Sequence, residues 1–237
     1  MRFIIHGGTL SRSLQSISSV VPSGRTMPIL LNFLMELKGE DLTVTASDLE
    51  TTITVKLNPG MVEQGSINRI AIPAKMFLEV VNSLSTQQIT VEVQEDFSVG
   101  ITAGTGKYKL VGEDPESYPV AMELEEPLLT TISSSVLVKA IGKTIFATGN
   151  SELRPQMSGV LCEQTENGTT FVATDAHKLV KYTRTDCKCD EPRSFILPKT
   201  PLGLLNKLLS SYKEEMDVKM ENNKENVRFT FENYTLI

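Results

Sequence analysis

The sequence predicts an α+β protein in which one domain is repeated in tandem, each copy running helix, strands, helix, strands. Three observations lead there. Ala46-Ser47-Asp48-Leu49 returns as Ala173-Thr174-Asp175-Ala176, and Ile72-Pro73-Ala74-Lys75 returns as Leu197-Pro198-Lys199-Thr200, about 125 to 127 residues later. Solenoid units repeat every roughly 20–50 residues, so a period this long describes a whole domain. Within each half the hydrophobic pattern runs helix, strands, helix, strands, an α+β order distinct from alternating βαβ units. Between the halves, Glu113-Asp114-Pro115-Glu116-Ser117-Tyr118-Pro119 runs on to Glu123-Leu124-Glu125-Glu126-Pro127. Three prolines and a dense acidic run mark an extended connector. The boundary falls near residue 123, giving domains at 1–122 and 127–237.

The elements follow in order. A first helix over about 9–22 sets Leu10, Leu14, Ile17 and Val21 on one face, with Arg12, Ser16 and Ser19 away from it. Alternating stretches at 32–37, 42–46 and 51–57 read as strands. The Pro-Lys element opens a second helix over about 74–85, with Met76, Phe77, Val80, Val81 and Leu84 as its apolar stripe. Strands are predicted at 89–93, 99–102 and 107–111. The second half starts with a helix over about 134–148, with Leu137, Ile141 and Ile145 inward and Lys139 and Lys143 one turn apart. Strands at 159–163, 170–173 and 180–183, a helix over about 198–212, and strands at 217–220, 227–231 and from Tyr234 onward complete the repeat. The last strand stops at Ile237 without a connector of its own, which reads as a fragment of a longer protein.

Composition narrows the function classes. A chain of 237 residues, 40% hydrophobic and 22% charged, is globular and can bury two cores. No apolar stretch reaches the length of a membrane span, and the N-terminus lacks a signal-peptide apolar region, so a cytoplasmic location is expected. Cys162, Cys187 and Cys189 are too few for a disulfide framework. Cys187-Lys188-Cys189 offers two metal ligands, but His6 and His177 are the only histidines and there is no second Cys pair to close a zinc site. No metal or cofactor is expected.

The net charge of −6 argues against a nucleic-acid partner until the charges are located. The four predicted helices carry Arg12, Lys75, Lys139, Lys143, Lys199 and Lys207 against one acid, Glu79. Glutamate forms helices as readily as lysine, so helix propensity alone does not produce this sorting. The acid lies on strands and loops, and the helices present a basic surface.

Features that resemble catalytic motifs dissolve on inspection. Asp175 and His177 suggest two members of a triad, but there is no Gly-x-Ser-x-Gly elbow, and the first copy places Glu50 where His177 falls. The Asp shared by both copies, Asp48 and Asp175, reads as a turn residue. Gly104-Thr105-Gly106-Lys107 lacks the Ser or Thr that a phosphate loop needs next, since Tyr108 stands there, and reads as a hairpin turn. Most methionines are core filler. Met157 is the exception, because a flexible thioether suits a groove that accepts several partners.

These residues resemble the bacterial DNA polymerase III beta subunit family, the sliding clamps, over the whole chain. The resemblance rests on Arg25-Thr26-Met27-Pro28-Ile29-Leu30, Thr45-Ala46-Ser47-Asp48-Leu49-Glu50 and Ile72-Pro73-Ala74-Lys75. Ala173-Thr174-Asp175-Ala176-His177-Lys178-Leu179 and Leu197-Pro198-Lys199 complete it, in order and at matching spacing. It implies tandem DNA-clamp domains with two inner helices and outer sheets, a third such domain beyond the two present here, and a homodimeric ring around double-stranded DNA. The implied role is a processivity factor that contacts DNA independently of sequence. It tethers the DNA polymerase III catalytic subunit and other clamp-binding proteins, is opened by a clamp loader, and is not itself catalytic. Helix cations lining the hole, with Arg25 added by the resemblance, would meet phosphates. The implied partner-peptide groove takes Arg154, Met157, Thr174, Ala176, His177, Lys178 and Leu179. This chain has Pro155 and Gln156 where family members often carry aromatic residues. The alternative is a truncated, monomeric fragment that acts as a binding module and closes no ring.

Overall fold

The computed structural model describes residues 1–24, 27–119, 123–150 and 153–237. They form two compact units, Met1–Glu123 with Glu232–Ile237, and Leu124–Phe231. The first unit runs β1 (Arg2–His6), α1 (Gly7–Ile17), β2 (Asn32–Lys38), β3 (Asp41–Ser47), β4 (Thr52–Leu57), β5 (Met61–Glu63), β6 (Arg69–Pro73), α2 (Ala74–Ser83), β7 (Gln88–Val93), β8 (Ser98–Ala103) and β9 (Gly106–Val111). The chain continues as β10 (Leu128–Ser133), α3 (Ser134–Thr144), β11 (Gly159–Thr165), β12 (Gly168–Thr174), β13 (Leu179–Arg184), β14 (Arg193–Pro198), α4 (Lys199–Ser210), β15 (Asp217–Asn222), β16 (Val227–Phe231) and β17 (Tyr234–Leu236).

The pairing repeats with the sequence. In the first unit β2 pairs with β3 and β6, β3 with β4, and β7 with β1 and β8. In the second, β11 pairs with β12 and β14, β12 with β13, and β15 with β10 and β16. Helices α1 and α2 pack together in one unit and α3 and α4 in the other. Among the described residues, β5, an edge strand on β1, is the one strand of the first half with no counterpart in the second. The copies match down to single hydrogen bonds. Asp48 Oδ1 accepts from the backbone N–H of Glu50 and Thr51, and Asp175 Oδ1 accepts from those of His177 and Lys178. The next residue is left-handed in both turns, Leu49 at φ 81° and Ala176 at φ 75°. Asp175 and His177 therefore belong to a hairpin turn, and the shared Asp is the residue that builds it.

Each core lies between its helix pair and its sheets. Phe3, Leu10, Leu14, Phe33 and Phe77 are fully buried in the first unit, as are Phe171, Leu205, Val218 and Met220 in the second. The acidic connector is anchored at its start. Glu113 bridges Ala71, and buried Tyr118 donates its hydroxyl to Asn32 O or Thr45 O, with burial pushing the phenol up to about 12. The hairpin read at Gly104-Thr105 is present, with Ala103 opposite Gly106 and Gly104 at φ 54°.

Several expectations differ from the structure. The first helix spans Gly7–Ile17 and then tightens into a 3₁₀ turn at Ser18–Val20, short of residue 22. Pro22 pushes Val21 into an extended conformation (φ −61°, ψ 119°), so the helix cannot run through it. The third helix likewise ends at Thr144 in a 3₁₀ turn, Ile145–Ala147. The strand that opens each repeat, β1 and β10, and the strand before each second helix, β6 and β14, are additional to the predicted set. Residues 232–237 keep their place as the last strand of the second repeat and group in space with the first unit. There β17 pairs antiparallel with β4, and Ile237 and Thr52 exchange backbone hydrogen bonds of 2.8 and 2.9 Å.

Candidate functional site

Two surfaces gather the candidate residues. The first is the outer face of each helix pair. His6 caps α1 by accepting from Gly8 N–H at 3.1 Å, and Ser133 caps α3 by accepting from Ser135 N–H at 3.2 Å. The helices therefore start in register, and Gly7 aligned on Ser134 sets Arg12 over Lys139 and Ser16 over Lys143. The buried stripe of α1 (Leu10, Leu14, Ile17) and of α3 (Val136, Leu137, Ala140, Ile141) turns these cations outward, and Arg12, Lys139 and Lys143 are exposed. Lys75 on α2 and Lys207 in the last turn of α4 are exposed as well. Glu79 is the one acid on the four α-helices, all of which lie within the described residues. Just outside α3, Glu215 accepts from the Ser133 and Ser135 hydroxyls, which hold its carboxyl below the usual range beside Lys139. Arg25 lies outside the described residues.

Lys199 departs from this face. It is half-buried at the first residue of α4, and its Nζ donates to Asn150 Oδ1 at 2.8 Å while its backbone N–H donates to Ser158 O at 3.2 Å. It stands against the segment that forms the second surface.

That second surface is built around Gly149. Gly149 N–H donates to Met157 O at 2.8 Å, and a Cβ placed there would lie 3.7 Å from Met157 Cβ and 3.8 Å from Asp175 Cα. The Asp175 turn and half-buried Met157 thus meet on this glycine. Arg154 is exposed and starts the 3₁₀ turn Pro155–Met157, its carbonyl accepting from Met157 N–H at 3.0 Å. Ala176, His177 and Lys178 are exposed on the turn, and Leu179, opening β13, is 66% exposed. Thr174 does not offer a free hydroxyl, because it accepts from Ala176 N–H and donates to Lys178 O at 2.8 Å. Sequence reasoning passed over Gly149, Asn150 and Leu153. Leu153 is 93% exposed, and its signal was a lone leucine between Glu152 and Arg154.

The turn carries a pH signature. Lys178 Nζ pairs with Asp175 Oδ2, and together with the Lys178 and His177 N–H groups it holds the Asp175 carboxyl well below the ordinary range. An unfolded Asp titrates near about 4, so between that value and the depressed folded one the unfolded chain binds more protons. The contribution is complete above pH ~4 and is lost as pH falls through the folded pKa. Asp175→Asn, which keeps the turn acceptor and removes the charge, is expected to show a smaller drop in thermal midpoint between pH 6 and pH 3 than the parent chain. Equal drops would mean that the ion pair contributes nothing.

The thiols sit apart from both surfaces. Cys162 is fully buried on β11, where burial pushes its thiol up to about 12, and Cys189 Sγ contacts Glu191 O at 2.8 Å. Among the described residues no cluster of three His, Cys, Asp or Glu side chains is placed to hold a metal. No helix among them is long and apolar enough to cross a membrane.

Known proteins share this sequence pattern and fold. Residues 1–123 match the model of the DNA polymerase III beta subunit N-terminal domain, and residues 131–237 match that of its central domain. The chain is similar to the beta sliding clamp of Halalkalibacterium halodurans, 31% identical over 232 residues that cover 94% of this chain and 61% of the relative. The beta sliding clamp of Staphylococcus aureus is 26% identical, with 94% and 61% coverage. Among solved structures, the DNA polymerase III subunit beta of Pseudomonas aeruginosa superposes with a TM-score of 0.90 at 26% identity, covering 100% of this chain and 63% of that one. The Bacillus subtilis DNA polymerase sliding clamp gives the same values. The chain thus spans about 61% of the length of the curated relatives it matches. With both domain models matched in order along a fold that repeats itself turn by turn, the chain belongs to the DNA polymerase III beta subunit family.

Proposed function

We propose that this chain supplies the first two domains of a sliding clamp, a non-catalytic processivity subunit that encircles double-stranded DNA. The observation that carries the reading is the repeated helix pair, whose outer faces hold Arg12, Lys75, Lys139, Lys143 and Lys207 against Glu79. Cations on rigid helices meet phosphate oxygens without reading base edges, so the contact is independent of sequence and allows sliding. The acidic remainder of the surface discourages duplex from binding elsewhere. Tethering then acts through effective concentration, because a polymerase that releases the primer end stays beside it. The partners are duplex DNA, the DNA polymerase III catalytic subunit, a clamp loader and other proteins with clamp-binding motifs, in the bacterial cytoplasm at the nucleoid. A homodimeric ring with a third domain completes the full-length molecule. The alternative is that the 237-residue stretch is a monomeric binding module that closes no ring, and light scattering separates the two readings, since a ring dimer has about twice the chain mass of 26.1 kDa.

The surface around Gly149 is the proposed site for short clamp-binding peptides. Met157, Leu153 and Leu179 offer apolar contacts beside Arg154, His177 and Lys178. A few apolar anchors carry most of the affinity in such grooves. Losing two contacts at about 1–2 kcal/mol each, Met157→Ala with Leu179→Ala is expected to weaken a labelled clamp-binding peptide tenfold or more in fluorescence anisotropy. Unchanged affinity would remove these residues from the groove.

A further inference from the structure

We propose that Asn82 is a further contact to the nucleic-acid backbone, an uncharged donor where the second repeat places Lys207, with Ser11 and Gln15 as its positioning residues. The inference rests on the duplex-binding reading above and adds a residue type that charge counting does not find. The proline-led starts of α2 and α4 align Ala74 with Lys199, which sets Asn82 over Lys207. Asn82 is exposed on the outer face of α2, as are Lys75 and Glu79, seven and three residues before it.

Its amide is held in one orientation. Asn82 Oδ1 accepts from the Ser11 hydroxyl and from Gln15 Nε2, the latter at 2.9 Å. Gln15 Nε2 also donates to Ser11 Oγ at 3.2 Å. Ser11 is 5% exposed at the helix contact, so its hydroxyl must find a partner, and the Asn82 carbonyl provides it. With its acceptor occupied from α1, the planar amide leaves its exposed NH₂ with no protein partner among the described residues, so both donors are available to a ligand. Phosphate oxygens only accept, so a fixed amide donor is the neutral group that matches them. Arg12 and Gln15 are exposed on the adjoining face of α1.

A neutral contact leaves a distinct trace. A lysine on a phosphate releases a counterion and contributes about 0.9 to the slope of log affinity against log salt, whereas an amide contributes affinity and no slope. The test is duplex binding by fluorescence anisotropy across a salt series, with thermal melting as the folding control. Asn82→Asp keeps an acceptor for Ser11 and Gln15 but replaces the donor by an anion. It is expected to melt like the parent chain and to bind duplex on the order of tenfold more weakly. Asn82→Ala is expected to lose about three- to tenfold with the slope unchanged. Asn82→Lys should steepen the slope by about 0.9, and Lys207→Ala should flatten it by the same amount. If Asn82→Asp and Asn82→Lys bind as the parent does while Lys207→Ala flattens the slope, the amide only ties α1 to α2 and the inference is wrong. If Lys207→Ala is also silent, the duplex-binding reading itself fails.

Discussion

Replacing Lys139 and Lys143 together by glutamate is expected to lower duplex affinity on the order of a thousandfold while the second unit stays folded. Both side chains are exposed on one face of α3, one turn apart, and neither takes part in an ion pair among the described residues. Their removal therefore leaves no buried partner uncompensated. Each lost phosphate contact costs about 1 kcal/mol at an exposed site, and each carboxylate put in its place adds a repulsion of similar size. The salt slope should flatten by about 1.8, the share of two phosphates. Thermal melting checks the fold and anisotropy reads the affinity. Parent-like affinity with an unchanged slope would move the DNA contact away from this helix.

The second large effect is on stability. Phe77 is fully buried on α2, which packs on α1, β2, β6 and β9. Phe77→Ala removes the ring from a site that cannot collapse without moving both helices, and a Phe-to-Ala change in a core costs about 3–5 kcal/mol. Against a typical domain stability of about 5–15 kcal/mol this is a large fraction. A urea titration should show a clearly lower midpoint, with Phe77→Leu losing much less. Because α2 carries Lys75 and Asn82, the alanine variant should also lose duplex binding as its helix pair loosens. A midpoint equal to the parent's would contradict the packing of α2 as the anchor of the first unit.

Much of this was legible in the sequence, and the reasons are specific. Asp48 and Asp175 announced themselves because an Asx turn needs a short acceptor at one position, and both copies keep it. The four helices stood out because their apolar stripes are long and regular, as in Leu10, Leu14 and Ile17. Strands β1, β6, β10 and β14 were harder. Each is 5 or 6 residues long and runs directly into a helix, so no turn residue separates the two periodicities. Helix ends moved where a downstream residue overruled the pattern, as Pro22 does for α1. Charge sorting singled out Arg12, Lys75, Lys139, Lys143 and Lys207, and the structure shows them exposed on their helices, since exposed charge at helical spacing is a local property. Lys199 was grouped with them by the same rule, and its hydrogen bond to Asn150 depends on tertiary contact that spacing does not carry. Gly149 and Asn82 were invisible for that reason too. Gly149 matters through Met157 and Asp175, and Asn82 through Ser11 and Gln15 on another helix.

The most direct test of the central claim is the salt dependence of binding to two duplexes of equal length and unrelated sequence. If helix cations meet phosphates without reading bases, the two affinities agree at every salt concentration, and log affinity falls linearly with log salt. The slope is about 0.9 for each phosphate contacted, several units in all for the exposed helix cations. A preference of tenfold or more for one sequence, or affinity that does not respond to salt, would contradict the account.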